Sequence, residues 1–185
     1  MEEIRNVTWG LWGEELPEWI AIQRLVRAGF HDPRVLLNMF AIIEGESGSY
    51  IRAWHANVKR TPAPESNIIY NEEGEMEIKS IDLGFIQRSV ALSPHAFVAP
   101  TEEDMEIFVN KMFDENPLLA RADTAAEEAY ELYLERGFQP WYAFKPGTPE
   151  FRLKKRRGSK AIGNYLLRTQ VGKDSNGKLP YLNFE

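Results

Sequence analysis

The sequence predicts a single α+β domain that is mostly helical and contains one small β-hairpin. Several segments repeat apolar residues at helical spacing and stop at a glycine, which is typical of short amphipathic helices. Two short apolar runs flank a polar, Gly-containing turn, which is typical of a hairpin. The chain has 185 residues, of which 43% are hydrophobic and 27% charged. This is the composition of one globular domain.

The first part of the chain carries two predicted helices after an irregular start. Residues 1–17 combine two tryptophans with two glycines and a proline, and we interpret them as an N-terminal lead-in outside the domain. Apolar residues at helical spacing predict a helix over Glu18–Ala28 that stops at Gly29. Asp32, with proline directly after it, predicts the start of a second helix over Pro33–Glu46. Because this helix is apolar on most faces, we expect it to be central.

A hairpin and further helices account for the rest of the domain, which we predict to span residues 18–169. The runs Asn67–Tyr70 and Met76–Ile81 predict the two hairpin strands. Two prolines indicate a loop over 94–101, and Thr101 with its three following acids predicts the next helix start. The remaining pattern predicts a helix over 117–136, an aromatic loop over 138–149, a final helix over 150–169 and a polar tail over 170–185.

Composition and charge exclude several classes of function. The absence of cysteine excludes a disulfide framework, a thiol nucleophile and thiolate-bound zinc. His31, His55 and His95 have no metal-ligand spacing, so we expect no metal site. A net charge of −6 makes nucleic acid a poor partner. No apolar run reaches membrane-spanning length and the first residues do not resemble a signal peptide, so we expect no membrane insertion and no signal peptide.

Two carboxylates stand out by their positions. Glu46 ends the apolar helix directly before Ser47 and Gly48, and apolar neighbours raise the pKa of a carboxyl and keep it protonated. Asp82 follows the second predicted hairpin strand, beside Gly84. Glycoside hydrolysis requires two such carboxyls in unlike environments, one to protonate the leaving oxygen and one to stabilise or attack the sugar carbon. From spacing alone, the interpretation of both residues as ordinary surface acids is favoured over a catalytic pair.

Three short motifs resemble parts of the lysozyme-like superfamily. The segment Ala41–Gly48 resembles its catalytic-helix motif, in which the acid Glu ends a helix and is followed by Ser. Asp82–Gln87 resembles the Asp-x-Gly-x-x-Gln motif that follows the hairpin in c-type lysozymes and related phage domains. Met112–Pro117 and Gly137–Phe144 are similar to the C-terminal part of lysozyme-like domains from actinobacteriophages. The motifs occur in the family's order across about residues 19–145.

The resemblance implies a lysozyme-like fold and a peptidoglycan hydrolase, with no metal or organic cofactor. The expected activity is a muramidase that cleaves the β-1,4 bond between N-acetylmuramic acid and N-acetylglucosamine, with Glu46 as general acid and Asp82 as second carboxylate. The resemblance also implies a phage origin, either in the virion tail among other tail proteins or as an enzyme released from the host cytoplasm to the cell wall. Two alternatives stay open. One is a lytic transglycosylase that uses Glu46 alone, and the other is a non-catalytic structural or peptidoglycan-binding tail protein.

Five further residues are candidates for substrate binding: Ser47, Tyr50, Gln87, Trp141 and Tyr142. Ser47 follows the acid in the motif. Tyr50 is placed to line a cleft wall, and Gln87 could either bind a sugar amide or cap the hairpin exit. Trp141 and Tyr142 could stack on sugar rings or pack in the core.

The segment Arg152–Lys160 is strongly basic. We expect either a solvated helix face or a patch, remote from the cleft, that attracts an anionic cell wall.

Overall fold

The computed structural model describes residues 7–61 and 68–169. In this part of the chain, five α-helices accompany one four-stranded antiparallel sheet with the order β1-β2-β3-β4. The predicted α+β class is therefore confirmed. In chain order the elements are β1 (Trp9–Glu15), α1 (Glu18–Ala28), α2 (Pro33–Glu46), β2 (Tyr50–Val58), β3 (Met76–Leu83), β4 (Arg88–Val98), α3 (Glu102–Glu115), a 3-10 turn (Pro117–Ala120), α4 (Ala122–Arg136) and α5 (Pro149–Arg168).

Local signals set the helix ends where the sequence predicts them. Helix α1 stops at Gly29, whose φ of 132° lies outside the range that L side chains favour. Helix α2 begins at Asp32, whose side chain accepts a hydrogen bond from the Arg34 N–H at 2.8 Å. Thr101 caps α3 in the same way, by accepting from the Asp104 N–H at 3.2 Å. These ends need no tertiary contact, which explains why sequence predicts them correctly.

The sheet is larger than the predicted hairpin. Residues 1–17 contain β1, which pairs antiparallel with β2, so the interpretation of this segment as an irregular lead-in outside the domain is wrong. Strand β2 has no counterpart among the predicted elements, and β4 continues through residues 94–98, which were expected to form a loop. Strand β1 is exposed along much of its length. Its conformation depends on pairing with a distant strand rather than on its own hydrophobic pattern.

The predicted hairpin is also shifted along the chain. Residue 67 lies outside the described residues, and Ile68 and Tyr70 form only isolated bridges. The hairpin of the structure consists of β3 and β4, joined by a turn over 84–87. Asp82 consequently lies inside β3 instead of after the strand.

The second half of the chain is helical, with one break. The helix predicted over 117–136 is divided by Arg121, which is extended, with φ −108° and ψ 121°. Helix α5 agrees with the predicted final helix, and the predicted tail over 170–185 lies outside the described residues. None of the described helices is both long enough and apolar enough to cross a membrane.

Two hydrophobic clusters leave one face of the sheet open. The first surrounds α2 and includes buried side chains of α1, α4 and α5. The second lies between the sheet and α3, where Trp54 and Ile78 pack near Met105 and Phe113. Because successive side chains of a strand point to opposite faces, the strands present their other side chains away from α3. This open face forms one wall of the candidate site.

Candidate active site

One row of side chains crosses all four strands on the open face. The strand register aligns Trp9 with His55, His55 with Asp82, and Asp82 with Ser89. Asn57 lies two residues after His55 on β2 and therefore on the same face. The register thus surrounds Asp82 with hydrogen-bonding side chains from both neighbouring strands.

These neighbours determine the charge state of Asp82. Its Oδ2 accepts a hydrogen bond from Asn57 Nδ2 at 3.1 Å and lies 3.7 Å from His55 Nδ1. Burial alone would raise the pKa of this carboxyl, whose side chain is 24% exposed. The hydrogen bond from Asn57 and the nearby polar groups of His55 and Ser89 outweigh that effect and hold the pKa of Asp82 below its ordinary value. Asp82 is therefore suited to act as an ionised carboxylate.

Glu46 has the opposite environment at the end of α2. Burial raises the pKa of its carboxyl, the Ala143 N–H opposes this, and the negative charge of Asp82 adds to it. This direction confirms the expectation from the apolar helix. The Ala143 N–H donates to Glu46 Oε1 at 2.8 Å. A Cβ on Gly45 would lie 2.8 Å from the Ala143 Cβ, so glycine at this position permits the close approach of the loop.

Both carboxyls line one cavity of about 440 Å³. Trp9 and Leu11 of β1 contribute an apolar wall, and Gln87 and Tyr142 also line it. Trp9 and Tyr142 are 48% and 84% exposed, so the cavity lining offers aromatic surface to a ligand. Its volume lies within the range of small-molecule sites. A cavity of about 560 Å³ on the opposite face, between β1 and α3, is lined by neither carboxyl.

Two of the predicted substrate-binding residues are structural instead. Ser47 is 0% exposed, and its hydroxyl donates to the Phe85 carbonyl at 2.7 Å, which joins the end of α2 to the turn after β3. Trp141 is 6% exposed and donates Nε1–H to the Ile86 carbonyl at 3.3 Å. Neither side chain offers a surface to a ligand, so the prediction that they bind substrate is wrong.

The other three candidates are placed differently from one another. Tyr142 lines the cavity with an exposed ring. Gln87 also lines the cavity, but its amide donates to the backbone carbonyls of Ala53 and Gly84, at 3.0 and 2.9 Å. These bonds agree with the predicted role of capping the hairpin exit. Tyr50 lies outside this cavity and pairs across the sheet with Glu15, whose negative charge raises the pKa of the phenol.

The basic segment on α5 is not one remote patch. Lys154 lines a cavity that it shares with Glu46, so the expectation of a patch remote from the cleft is wrong for this residue. Arg157 forms ion pairs with Glu18 and with Glu44, the latter at 3.3 Å. Glu44 also accepts a hydrogen bond from Ser49 Oγ at 2.5 Å, so its carboxylate is engaged by Arg157 and Ser49.

Sequence reasoning missed most residues around Asp82: Trp9, Leu11, His55, Asn57 and Ser89. An alternation of polar residues along 53–57 was the available signal for a half-exposed strand. Which residues stand beside Asp82 depends on the register between strands far apart in sequence, and single-strand patterns do not contain that information.

Within the described ranges there is no cluster of three or more His, Cys, Asp or Glu side chains that could hold a metal ion. Comparisons of the chain with protein-family models, curated proteins and solved structures find no match. The resemblance to the lysozyme-like superfamily therefore stays a prediction based on three short motifs.

Proposed function

We propose that this protein is a peptidoglycan hydrolase of the muramidase type, which cleaves the β-1,4 bond between N-acetylmuramic acid and N-acetylglucosamine. The observation that carries the proposal is the opposite displacement of two pKa values in one cavity, upward for Glu46 and downward for Asp82. Two carboxyls whose pKa values are driven apart can serve as a proton donor and an ionised partner, which is the division of roles that glycosidases use. The proposed setting is a phage tail or an enzyme released to the host cell wall.

In the proposed mechanism, Glu46 protonates the glycosidic oxygen as the bond from that oxygen to the sugar C1 breaks. Its Oε1 already accepts the Ala143 N–H, so the proton is carried on the other oxygen. Asp82 stabilises the positive charge that develops at C1, or attacks C1 directly. Glu46 then takes a proton from the water that completes hydrolysis. Asn57 and His55 keep Asp82 ionised through this cycle.

The walls of the cavity support a saccharide as the ligand. Trp9 and Tyr142 are exposed aromatic residues in the same cavity lining as the carboxyls, and such rings stack against the apolar faces of sugars. A transglycosylase needs no second carboxylate, whereas three side chains here keep Asp82 ionised. The lowered pKa of Asp82 therefore favours the hydrolase over the transglycosylase.

The test is mass analysis of products after incubation with purified peptidoglycan. Reducing muramic acid ends are expected from the wild type, and Glu46→Gln should yield no products because an amide cannot donate the required proton. Glu44→Gln removes a carboxyl from the same helix end but outside the pair, and should retain cleavage. Asp82→Asn should remove hydrolysis.

Anhydro ends that persist in the Asp82→Asn variant would establish a transglycosylase instead. A wild type that binds peptidoglycan and releases no product would leave only a structural or binding function.

A further inference from the structure

Glu46 stands between two cavities. The second, of about 390 Å³, shares Glu46 and Tyr142 with the first and extends towards the start of α5. Asp82 lines the first cavity only. In the proposed mechanism Asp82 faces the sugar carbon and Glu46 faces the leaving oxygen. The second cavity therefore lies on the leaving-group side of the bond.

Two lysines, Lys145 and Lys154, contribute positive charge to this second cavity. Lys154 is half-buried, and its Nζ lies 3.5 Å from the position that a Cβ on Gly45 would occupy, directly against the helix end that carries the acid. Lys145 holds its Nζ 4.1 Å from the centroid of the Tyr142 ring. Among the described residues, no carboxylate lies within 4.0 Å of either ammonium group.

The opposing charges in the cavity do not cancel the two lysines. Glu150 also lines it and is exposed to solvent. Glu46 is neutral in the protonated form that starts the reaction. The cavity therefore has a net positive charge when substrate binds, and its floor includes the buried ring of Phe151.

We propose that this second cavity is a carboxylate-binding subsite, which takes an acidic substituent of the glycan on the leaving-group side. The inference rests on the proposed function, because that function defines which side the leaving group occupies. In a peptidoglycan strand every second sugar bears a lactyl group, whose carboxyl is free or extended by a peptide that itself ends in carboxylates. An acidic group thus lies within two rings of the cleaved bond, whereas a chitin strand offers none.

Binding to an inert protein tests the subsite separately from catalysis. Glu46→Gln is titrated by calorimetry with four soluble tetrasaccharides: one with free lactyl carboxyls, the same molecule with those carboxyls amidated, a peptide-bearing form, and chitotetraose. We expect the free acid to bind about two- to fivefold more tightly than the amide, in line with partly exposed ion pairs. Preference for the peptide-bearing form over the free acid would assign the carboxylate to the peptide, and the reverse order would assign it to the lactyl group.

Two variants in the same background locate the effect. Lys154→Gln should remove most of the preference for the acid, whereas Arg156→Gln removes an equal charge from an exposed position of the same helix and should retain it. The preference should also weaken between 0.05 and 0.5 M salt, roughly as the screening length shortens. Equal affinity for acid and amide, or an equal loss in both variants, would overturn the subsite.

The product assay on wild-type protein keeps the two proposals distinguishable. A preference for the acid without any cleavage would overturn the hydrolase and leave a carboxylate-binding cavity. Cleavage without the preference would overturn the subsite alone.

Discussion

Replacement of Asn57 by alanine tests whether the lowered pKa of Asp82 depends on the hydrogen bond from Asn57. The Asn57 amide donates to Asp82 at 3.1 Å, and its loss destabilises the ionised form of Asp82. A hydrogen bond to a charged group contributes roughly 1.5–3 kcal/mol. The Asp82 side chain is 24% exposed, so water replaces part of the bond and about 1 kcal/mol remains. Asp82 then binds its proton more readily, and the acid limb of the pH profile moves towards neutral pH by a little under one pH unit.

For the proposed hydrolase, the assay is the pH dependence of kcat/KM on a soluble oligosaccharide, because this ratio reports ionisations of the free protein. The position of each limb is compared rather than its height, since Asn57 also lines the cavity. The alkaline limb, which follows loss of the Glu46 proton, should stay in place. Asn57→Asp should move the acid limb further, because it adds a like charge beside Asp82.

Ser80→Ala is the matched control for this series. Asn57 also donates to Ser80 Oγ at 3.0 Å, and this variant removes that bond while it leaves the bond to Asp82 intact. An acid limb that is unmoved in Asn57→Ala, or moved equally in Ser80→Ala, would refute the assignment of Asp82 as the ionised partner.

Three further variants test the framework. Glu46→Gln should have a higher Tm than the wild type at pH 7 and nearly the same Tm at pH 4. The folded state raises the pKa of Glu46, so the stability of the wild type falls as pH increases through and above the ordinary glutamate range, whereas a glutamine does not titrate. Gly84→Ala should lower the free energy of unfolding in urea by about 3 kcal/mol, because φ is +81° and the new Cβ would lie 2.0 Å from a backbone carbonyl oxygen. Gly163→Ala is the control: its Cβ would enter open space on α5, so the free energy of unfolding should not fall. Ser47→Ala should lose roughly 1–3 kcal/mol because the Phe85 carbonyl becomes unpaired, with KM unchanged; a raised KM at unchanged stability would return Ser47 to the binding site.

The helices and the position of the acid follow from neighbouring residues. The Asp32 cap, the proline after it and the apolar run up to Glu46 are all local signals, and together they place a carboxyl at the end of a buried helix. Burial is the largest cause of the raised pKa of Glu46, and the apolar run before it indicates that burial, which is why the sequence predicts the direction correctly. The contributions of Asp82 and Ala143 come from distant parts of the chain. Local signals do not predict the break at Arg121, because good helix formers lie on both sides of this extended residue.

The aromatic loop shows where sequence reasoning stops. Trp141 and Tyr142 are neighbouring aromatic residues, and the sequence predicts for both either stacking on a sugar ring or packing in the core. In the structure Trp141 packs inside and Tyr142 projects into the cleft. The difference depends on how the loop rests on α2 and on the turn after β3.

By itself the sequence determines the α+β class, the ends of the main helices and the position of Glu46 at the end of an apolar helix, because each depends on residues a few positions apart. Only the tertiary structure determines that β1 joins the sheet, that Asp82 receives donors from both sides, and that Lys154 reaches the cavity of Glu46. These features arise from strand register and from helix packing across more than a hundred residues. The free energy that selects them is distributed over the whole core and is not encoded in any single segment.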